Sequence, residues 1–362
     1  CKMLKILFFI LLITFNLHAI EMDKKYPNYT YVFHEFDVND AYIYDDTFRQ
    51  FAKKNEKFLR QFYRTSLKKG KEILPTMKGL LAKQGVSDLF IYLSMIESGF
   101  SNNAISPKKA VGLWQFMPAT AKQYNLEVCE AYDERCDTSS STSAAIRYLN
   151  KLYKDFGKWY LAAMAYNCGE GCLNKAIKRA RTDELSVLTS ESERYLPKET
   201  REYIRKILLI AMIGESESVS YESPESGNFV EVEVDIGSDL KMIAEAIRVE
   251  YTYLKKINPQ IKGRYIPKSK KRTKYMIQIP IEKIFSFYLQ YELNSVKKSS
   301  KPHLISHYVK LGETLESIAN VYESTTLEIE KANHLMNEYL TLDQLLVIPV
   351  SKKVFEKIKR NN

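Results

Sequence analysis

The segment Leu89-Phe90-Ile91-Tyr92-Leu93-Ser94-Met95-Ile96 is apolar almost all round, and a stretch of that kind has no face to offer to water. It predicts a helix enclosed by other protein, and so a body of several helices built around it. The run ends in Glu97-Ser98-Gly99, a helix-stop signal that sets one carboxylate at the edge of the apolar zone. A carboxylate there loses hydration, which disfavours its charged form and raises its pKa. Glu97 is thereby suited to hold a proton near neutral pH and donate it to a leaving group. The competing reading is a glutamate that merely ends a helix in solvent.

Three further segments bear on that choice. They are Gly112-Leu113-Trp114-Gln115-Phe116-Met117-Pro118-Ala119-Thr120, Ala162-Ala163-Met164-Ala165-Tyr166-Asn167-Cys168-Gly169-Glu170-Gly171, and Tyr195-Leu196-Pro197-Lys198-Glu199-Thr200-Arg201-Glu202-Tyr203-Ile204. In this order and at these spacings the four motifs resemble the lytic murein transglycosylases of the goose-type lysozyme-like fold. The nearest subgroup is the membrane-bound D type, and the resemblance runs from about Leu67 to Leu209. It implies a mainly α protein with a lysozyme-like (SLT) helical catalytic domain.

The resemblance also implies roles. Glu97 protonates the bridging oxygen between N-acetylmuramic acid and N-acetylglucosamine, then acts as base on the sugar's own C6 hydroxyl to close a 1,6-anhydro ring. Ser106 and Gln115 match positions that bind sugar or peptide, and Tyr166 and Asn167 match positions that face the scissile sugar. Tyr203 matches the tyrosine of the last motif, where its hydroxyl either contacts Glu97 or satisfies another buried partner. No cofactor is required. From the residues alone, Gly112 and Pro118 shape a loop, while Trp114, Phe116 and Met117 read as core packing in preference to a cleft wall. Glycoside hydrolysis would need a second carboxylate, but Asp133, Glu134, Asp137 and Asp155 lie on polar or linking stretches and read as caps and solvated charges.

With 54 Lys+Arg against 44 Asp+Glu the chain carries a net charge of +10, which favours an anionic polymer such as peptidoglycan with its acidic stems. The basic residues are scattered, and without a helix-turn-helix, RRM or zinc-finger pattern nucleic acid is not expected. Residues 1–19 read as a signal peptide: a basic start at Lys2 and Lys5, an apolar run Ile6 to Leu17, and a small-residue site at Ala19. Export to the periplasm follows; left uncleaved, the segment would instead associate the protein with the inner membrane. Cys1 precedes the apolar run, where it cannot serve as a lipid-anchor cysteine. In an oxidising compartment Cys129, Cys136, Cys168 and Cys172 suggest two disulfides, with Cys129–Cys136 and Cys168–Cys172 preferred among three connectivities. Their spacing is not that of structural zinc, and no metal is expected.

Residues 20–66 read as an N-terminal arm and helix: the aromatic stretch Glu21 to Asp46 lacks periodicity and suggests an extended arm, and Phe48, Phe51, Phe58, Leu59, Phe62 and Tyr63 then recur at helical spacing. The SLT domain is assigned to 67–213, and the acidic, Ser-rich stretch 214–228 to a linker. Two units then repeat one pattern at 229–293 and 305–352, separated by a linker at 294–304. Val234-Asp235-Ile236-Gly237, Leu240, Ile243-Ala244 and Asn258 recur as Val309-Lys310-Leu311-Gly312, Leu315, Ile318-Ala319 and Asn333, and the units close on Ile279-Pro280 and Ile348-Pro349. Each reads as strand, helix, helix, strand. The second resembles a LysM module, a small α+β fold associated with N-acetylglucosamine-containing glycans; the first resembles a degenerate copy, with an insertion at Lys268 to Arg272. Both could instead be structural spacers.

Overall fold

The computed structural model describes residues 22–217, 229–268, 272–292, 303–333, 335 and 339–361. The signal-peptide assignment, most of both linkers and the centre of the 268–272 insertion lie outside them. The chain divides into two compact units, one formed by residues up to 240 with 252–280, the other by 241–251 with 281–362.

The first unit contains a helical body: α1 (Tyr29–Glu35), α2 (Asp46–Gly70), α3 (Leu74–Lys83), α4 (Ile91–Ser98), α5 (Pro118–Gln123), α6 (Thr138–Phe156), α7 (Trp159–Cys168), α8 (Glu170–Ala180), α9 (Leu185–Leu188) and α10 (Lys198–Ser216). The expected enclosed helix is α4. Ile91 to Met95 are all buried, and α10 packs on α4 as well as on α1, α2 and α7. Helix starts are fixed by side-chain caps. Asp45 accepts from Phe48 N at 2.8 Å and Asp137 from Ser140 N at 2.7 Å, each contributing about 1 kcal/mol.

The N-terminal stretch differs from expectation. It is not extended: α1 and a 3₁₀ turn at Asp40–Tyr44 occupy it, and Tyr26, Val32, Phe33, Phe36, Tyr42 and Ile43 are buried in the common core. Two short helices, one started by the Asn39 side chain on Ala41 N, hide a period that a longer helix would display. The assigned boundary at 66/67 falls inside α2, and α10 runs on through Gly214 to Ser216, into the assigned linker. Within α2, Phe48, Phe51, Leu59 and Tyr63 are buried as expected, but Phe58 is exposed and stacks on Phe62 across one turn.

Both repeats have the expected order of elements. The first is β1 (Phe229–Asp235), α11 (Leu240–Ala246), α12 (Tyr251–Ile257) and β2 (Lys274–Pro280), with β1 antiparallel to β2 and Val232 opposite Ile277. The second is β3 (His303–Tyr308), α13 (Leu315–Val321), α14 (Thr326–Asn333) and β4 (Leu345–Val350), with Ile305 opposite Ile348. The repeated asparagine has the same work in each. Asn258 donates to Leu254 O and Gln278 O and accepts from Gln278 N; Asn333 donates to Ile329 O and Val347 O and accepts from Val347 N. One side chain thus ties the end of the second helix to the closing strand. The second repeat extends past its assigned end at 352 into α15 (Lys352–Asn361), whose Val354 joins the core of Val309, Leu315, Ile318, Leu346 and Ile348.

Candidate active site

Glu97 occupies the last turn of α4. Gly99 caps the helix in a left-handed conformation, φ 57°, with its N–H on Met95 O at 2.7 Å, a geometry that glycine adopts without strain. The Glu97 side chain is half-buried, and the Tyr203 hydroxyl of α10 donates to its Oε1 at 2.5 Å. Burial pushes its pKa up to about 7; the Tyr203 hydrogen bond pulls the other way, and the negative charge of Glu199 adds to the rise. A carboxyl group in that range is protonated in about half of the molecules at neutral pH and can both give and take a proton. The Tyr166 and Tyr203 hydroxyls stay protonated, held far above the usual phenol range by burial and by the neighbouring Glu97 charge.

The loop after α4 is tied to this helix. Ser94 Oγ donates to Leu113 O at 3.0 Å and Tyr166 Oη to Trp114 O at 2.6 Å, so α4 and α7 both grip the backbone of the Gly112 motif. Trp114 is wholly buried with Nε1 on Thr142 Oγ1 at 3.0 Å, and Phe116 is buried too. Both are core residues as expected, whereas Met117 is 43% exposed and is not. Gln115 is left-handed, φ 47°, and its Nε2 donates to Gly112 O at 2.9 Å and Ala104 O at 3.2 Å. A strained non-glycine residue persists only where its surroundings hold it, and such residues concentrate at functional sites.

The structure thus gathers Glu97, Tyr166 and Tyr203, with the Gln115 loop bonded to Tyr166 through Trp114 O. Asn167 follows Tyr166, and its Oδ1 accepts from Thr200 Oγ1 of α10 at 2.8 Å. Ser106 stands apart: its Oγ accepts from Ala110 N at 3.0 Å and closes the turn before the loop, and no hydrogen bond among the described residues links it to Glu97. A cleft of about 650 Å³ lined by Asp37, Tyr42, Lys158, Tyr160 and Glu184 includes none of these residues.

Two residues escaped the sequence reading. Glu199, exposed in the first turn of α10 and one turn before Tyr203, is close enough for its charge to act on Glu97; first-turn acids are so common at helix starts that it carried no signal of its own. Thr200, which bonds Asn167, was equally silent.

Two expectations are overturned. Asp133, Glu134 and Asp137 are buried, not solvated. Asp133 and Asp137 do cap, but Asp133 also pairs with Arg135 at 2.8 Å, and Glu134 pairs with Arg272 at 2.8 Å. Only Asp155, salt-bridged to Lys151 at 2.8 Å, fits a surface charge. Among the described residues no disulfide is present, and Cys129, Cys136, Cys168 and Cys172 are free thiols. Cys129 is exposed while Cys136 is buried with Lys262 Nζ 3.0 Å from its sulfur, so the first pair sits in opposite surroundings. Cys168 and Cys172 interact as thiols, and burial with this contact pushes Cys168 up to about 12. Among the described residues, no group of three or more His, Cys, Asp or Glu side chains is placed to hold a metal ion.

Parts of the chain are similar to known families. Residues 77–188, which contain Glu97 and the Gln115 and Tyr166 motifs, match the profile described as the transglycosylase SLT domain. The match falls within the helical body. Residues 307–349 match the LysM domain, so both matches lie on one chain. The membrane-bound lytic murein transglycosylase D of Escherichia coli is 28% identical over 75% of this chain and 62% of its own length. This chain therefore spans about three fifths of that relative. The peptidoglycan transglycosylase gp16 of Escherichia phage T7 is 32% identical over 42% of this chain and 11% of its own. The crystal structure of the soluble lytic transglycosylase SLT70 of Escherichia coli is similar over 37% of this chain and 22% of its own, at 22% identity and a TM-score of 0.32, a level that supports no argument by itself.

The Glu97–Tyr203 pair makes a pH prediction. Tyr203→Phe removes the hydrogen bond that favours ionised Glu97, so the Glu97 pKa rises and any activity that needs the protonated acid persists to higher pH. A pH–rate profile whose alkaline limb stays put or moves down would contradict the pairing.

Proposed function

We propose that this protein is a lytic transglycosylase that cleaves the β-1,4 bond between N-acetylmuramic acid and N-acetylglucosamine in peptidoglycan. The observation that carries this reading is the half-buried carboxyl of Glu97, its pKa raised to about 7 by burial and its oxygen hydrogen-bonded by Tyr203, inside the segment that matches the SLT domain. Protonated Glu97 donates to the glycosidic oxygen as the bond breaks. The resulting carboxylate then removes the proton from the C6 hydroxyl of the muramoyl residue, whose oxygen closes the 1,6-anhydro ring. One group serves both steps, and no water is consumed. Tyr203 orients the Glu97 carboxyl, while Gln115, Tyr166 and Asn167 form the wall against which the scissile sugar is held. Ser106 serves that wall by closing the turn that leads into it.

Hydrolysis of the same bond is the second reading, and Glu199 is the observation that favours it, because a true muramidase needs a second carboxylate near the acid. The two readings separate on products: anhydromuropeptides against reducing-end muropeptides. A peptidoglycan substrate places the protein in the cell envelope, and the LysM domain fits that setting as a tether to glycan. Among the described residues, no helix is long and apolar enough to cross a membrane.

Deleting residues 301–362 is expected to weaken pull-down on insoluble cell walls severalfold and to spare cleavage of short soluble glycans. Undiminished binding would reduce the LysM domain to a spacer.

A further inference from the structure

The first, degenerate repeat contributes residues 229–240 and 252–280 to the same compact unit as the helical body, and residues 260–275 are bonded into it. Their partner is the loop 127–137. Lys262 N donates to Ala131 O and Asp133 N donates to Gln260 O, both at 2.9 Å. Tyr275 meets Tyr132 edge-on with ring centroids 4.7 Å apart and donates its hydroxyl to Glu127 Oε1 at 3.1 Å. Arg272 reaches Glu127 Oε2 at 3.2 Å and grips both oxygens of buried Glu134 at 2.8 and 3.4 Å.

The far side of that loop holds the Gly112 motif. Arg135 forks onto Asp133 with Nε and Nη2 at 2.9 and 2.8 Å, and its Nη1 donates to Lys109 O and Phe116 O at 3.2 Å each. The backbone carbonyl of Arg135 lies against Gly112 so closely that a Cβ there would sit 1.8 Å from it. Beyond Gly112 are Leu113, bonded by Ser94 of the Glu97 helix, and Trp114, bonded by Tyr166. Charge-assisted hydrogen bonds from Arg272 to Glu134, the chain step from Glu134 to Arg135, and the bonds and close packing of Arg135 on the Gly112 motif therefore link Arg272 to the wall of the site.

We propose that Arg272 and Tyr275 are positioning residues for catalysis: acting through Glu134, Glu127 and Arg135, they fix the loop that presents Gln115 and anchors Tyr166. The degenerate repeat is, on this reading, a brace for the SLT domain rather than a second glycan tether. Arg272 is what neutralises Glu134; without it a buried carboxylate keeps the Glu127 backbone N–H but loses its opposite charge, and the uncompensated group is driven outward toward water. That movement shifts the loop that carries it.

The inference rests on the proposed activity, so its test carries a readout that does not. In the full chain with Trp159→Phe, Trp114 is the remaining tryptophan, and its emission reports the packing of the motif loop. Arg272→Ala should shift that emission to the red and lower kcat on soluble peptidoglycan strands about tenfold or more, at a temperature well below the unfolding midpoint. Arg272→Lys should restore most of both. Arg272→Ala combined with Glu134→Gln should lose no more than Arg272→Ala alone, because the two act through one contact. If Arg272→Ala does not fold, Tyr275→Phe, which removes the hydroxyl bonded to Glu127, reads the same coupling through a smaller red shift and a smaller fall in kcat, and the absence of both changes in that variant would overturn the brace. Unchanged emission and unchanged kcat in a folded variant would overturn the brace and leave the activity standing. A shifted emission in a chain whose parent shows no cleavage would uphold the brace and overturn the activity. Loss of binding to insoluble walls with kcat intact would make this repeat a glycan tether after all and overturn the brace.

Discussion

Glu97→Gln is expected to lower peptidoglycan cleavage by about 10³-fold or more, the scale of losing the general acid of the proposed mechanism, while leaving the helical body folded. Gln has the same shape and still accepts from Tyr203, so the wall of the site should be undisturbed. The same substitution makes a stability prediction of opposite sign. Burial raises the Glu97 pKa from 4.5 to about 7, so between those values the folded state holds a proton that the unfolded chain releases. The Glu97 contribution to stability is therefore fully present below pH 4.5 and is lost as pH rises through 7, by about 3 kcal/mol at most and less because the side chain is only half-buried. Gln cannot ionise. The variant should melt higher than the parent at pH 8 and close to it at pH 4, and a shift equal at both pH values would show that Glu97 carries no buried-charge penalty. Higher stability with lost activity is the expected signature of a group strained for catalysis.

Gly112→Ala should be nearly as damaging by a different route. The residue has φ 85°, and an added Cβ would come within 1.8 Å of the Arg135 carbonyl oxygen. The conformation alone costs an alanine about 1–2 kcal/mol, and the overlap forces the 127–137 loop and the Gln115 turn apart. A total loss of about 3 kcal/mol or more is expected, seen as a lower unfolding midpoint together with a large fall in kcat. A change under about 1 kcal/mol would mean that this close approach does not exist in solution.

Much of the site was legible because its signals are local. The apolar run from Leu89 to Ile96 reads as an enclosed helix, and it is the burial around α4, seen only in the fold, that decides against a solvent-exposed Glu97 at its end. The repeat was legible because Asn258 and Asn333 each latch a helix end to a closing strand, so the same residue recurs at the same offset. The misreadings share a cause in long-range partners. Asp133, Glu134 and Asp137 look like surface acids in a polar stretch, and what buries two of them are Arg135 and Arg272, the latter 138 residues from Glu134. Glu199 acts on Glu97 from about a hundred residues away in sequence, which no spacing rule detects. The N-terminal aromatics were read as an extended arm because helices of one or two turns are too short to display a period. The cysteines were paired from compartment and parity, which carry no information on the direction of each Cβ.

The most direct test is mass spectrometry of purified peptidoglycan digested in parallel with the native protein and with Glu97→Gln. Anhydromuropeptides, one water lighter than the hydrolysis products, are expected from the native protein and should be absent with the variant. Reducing-end muropeptides from the native protein would contradict transglycosylation and turn attention to Glu199 as a base, and equal products from both proteins would contradict the assignment of Glu97.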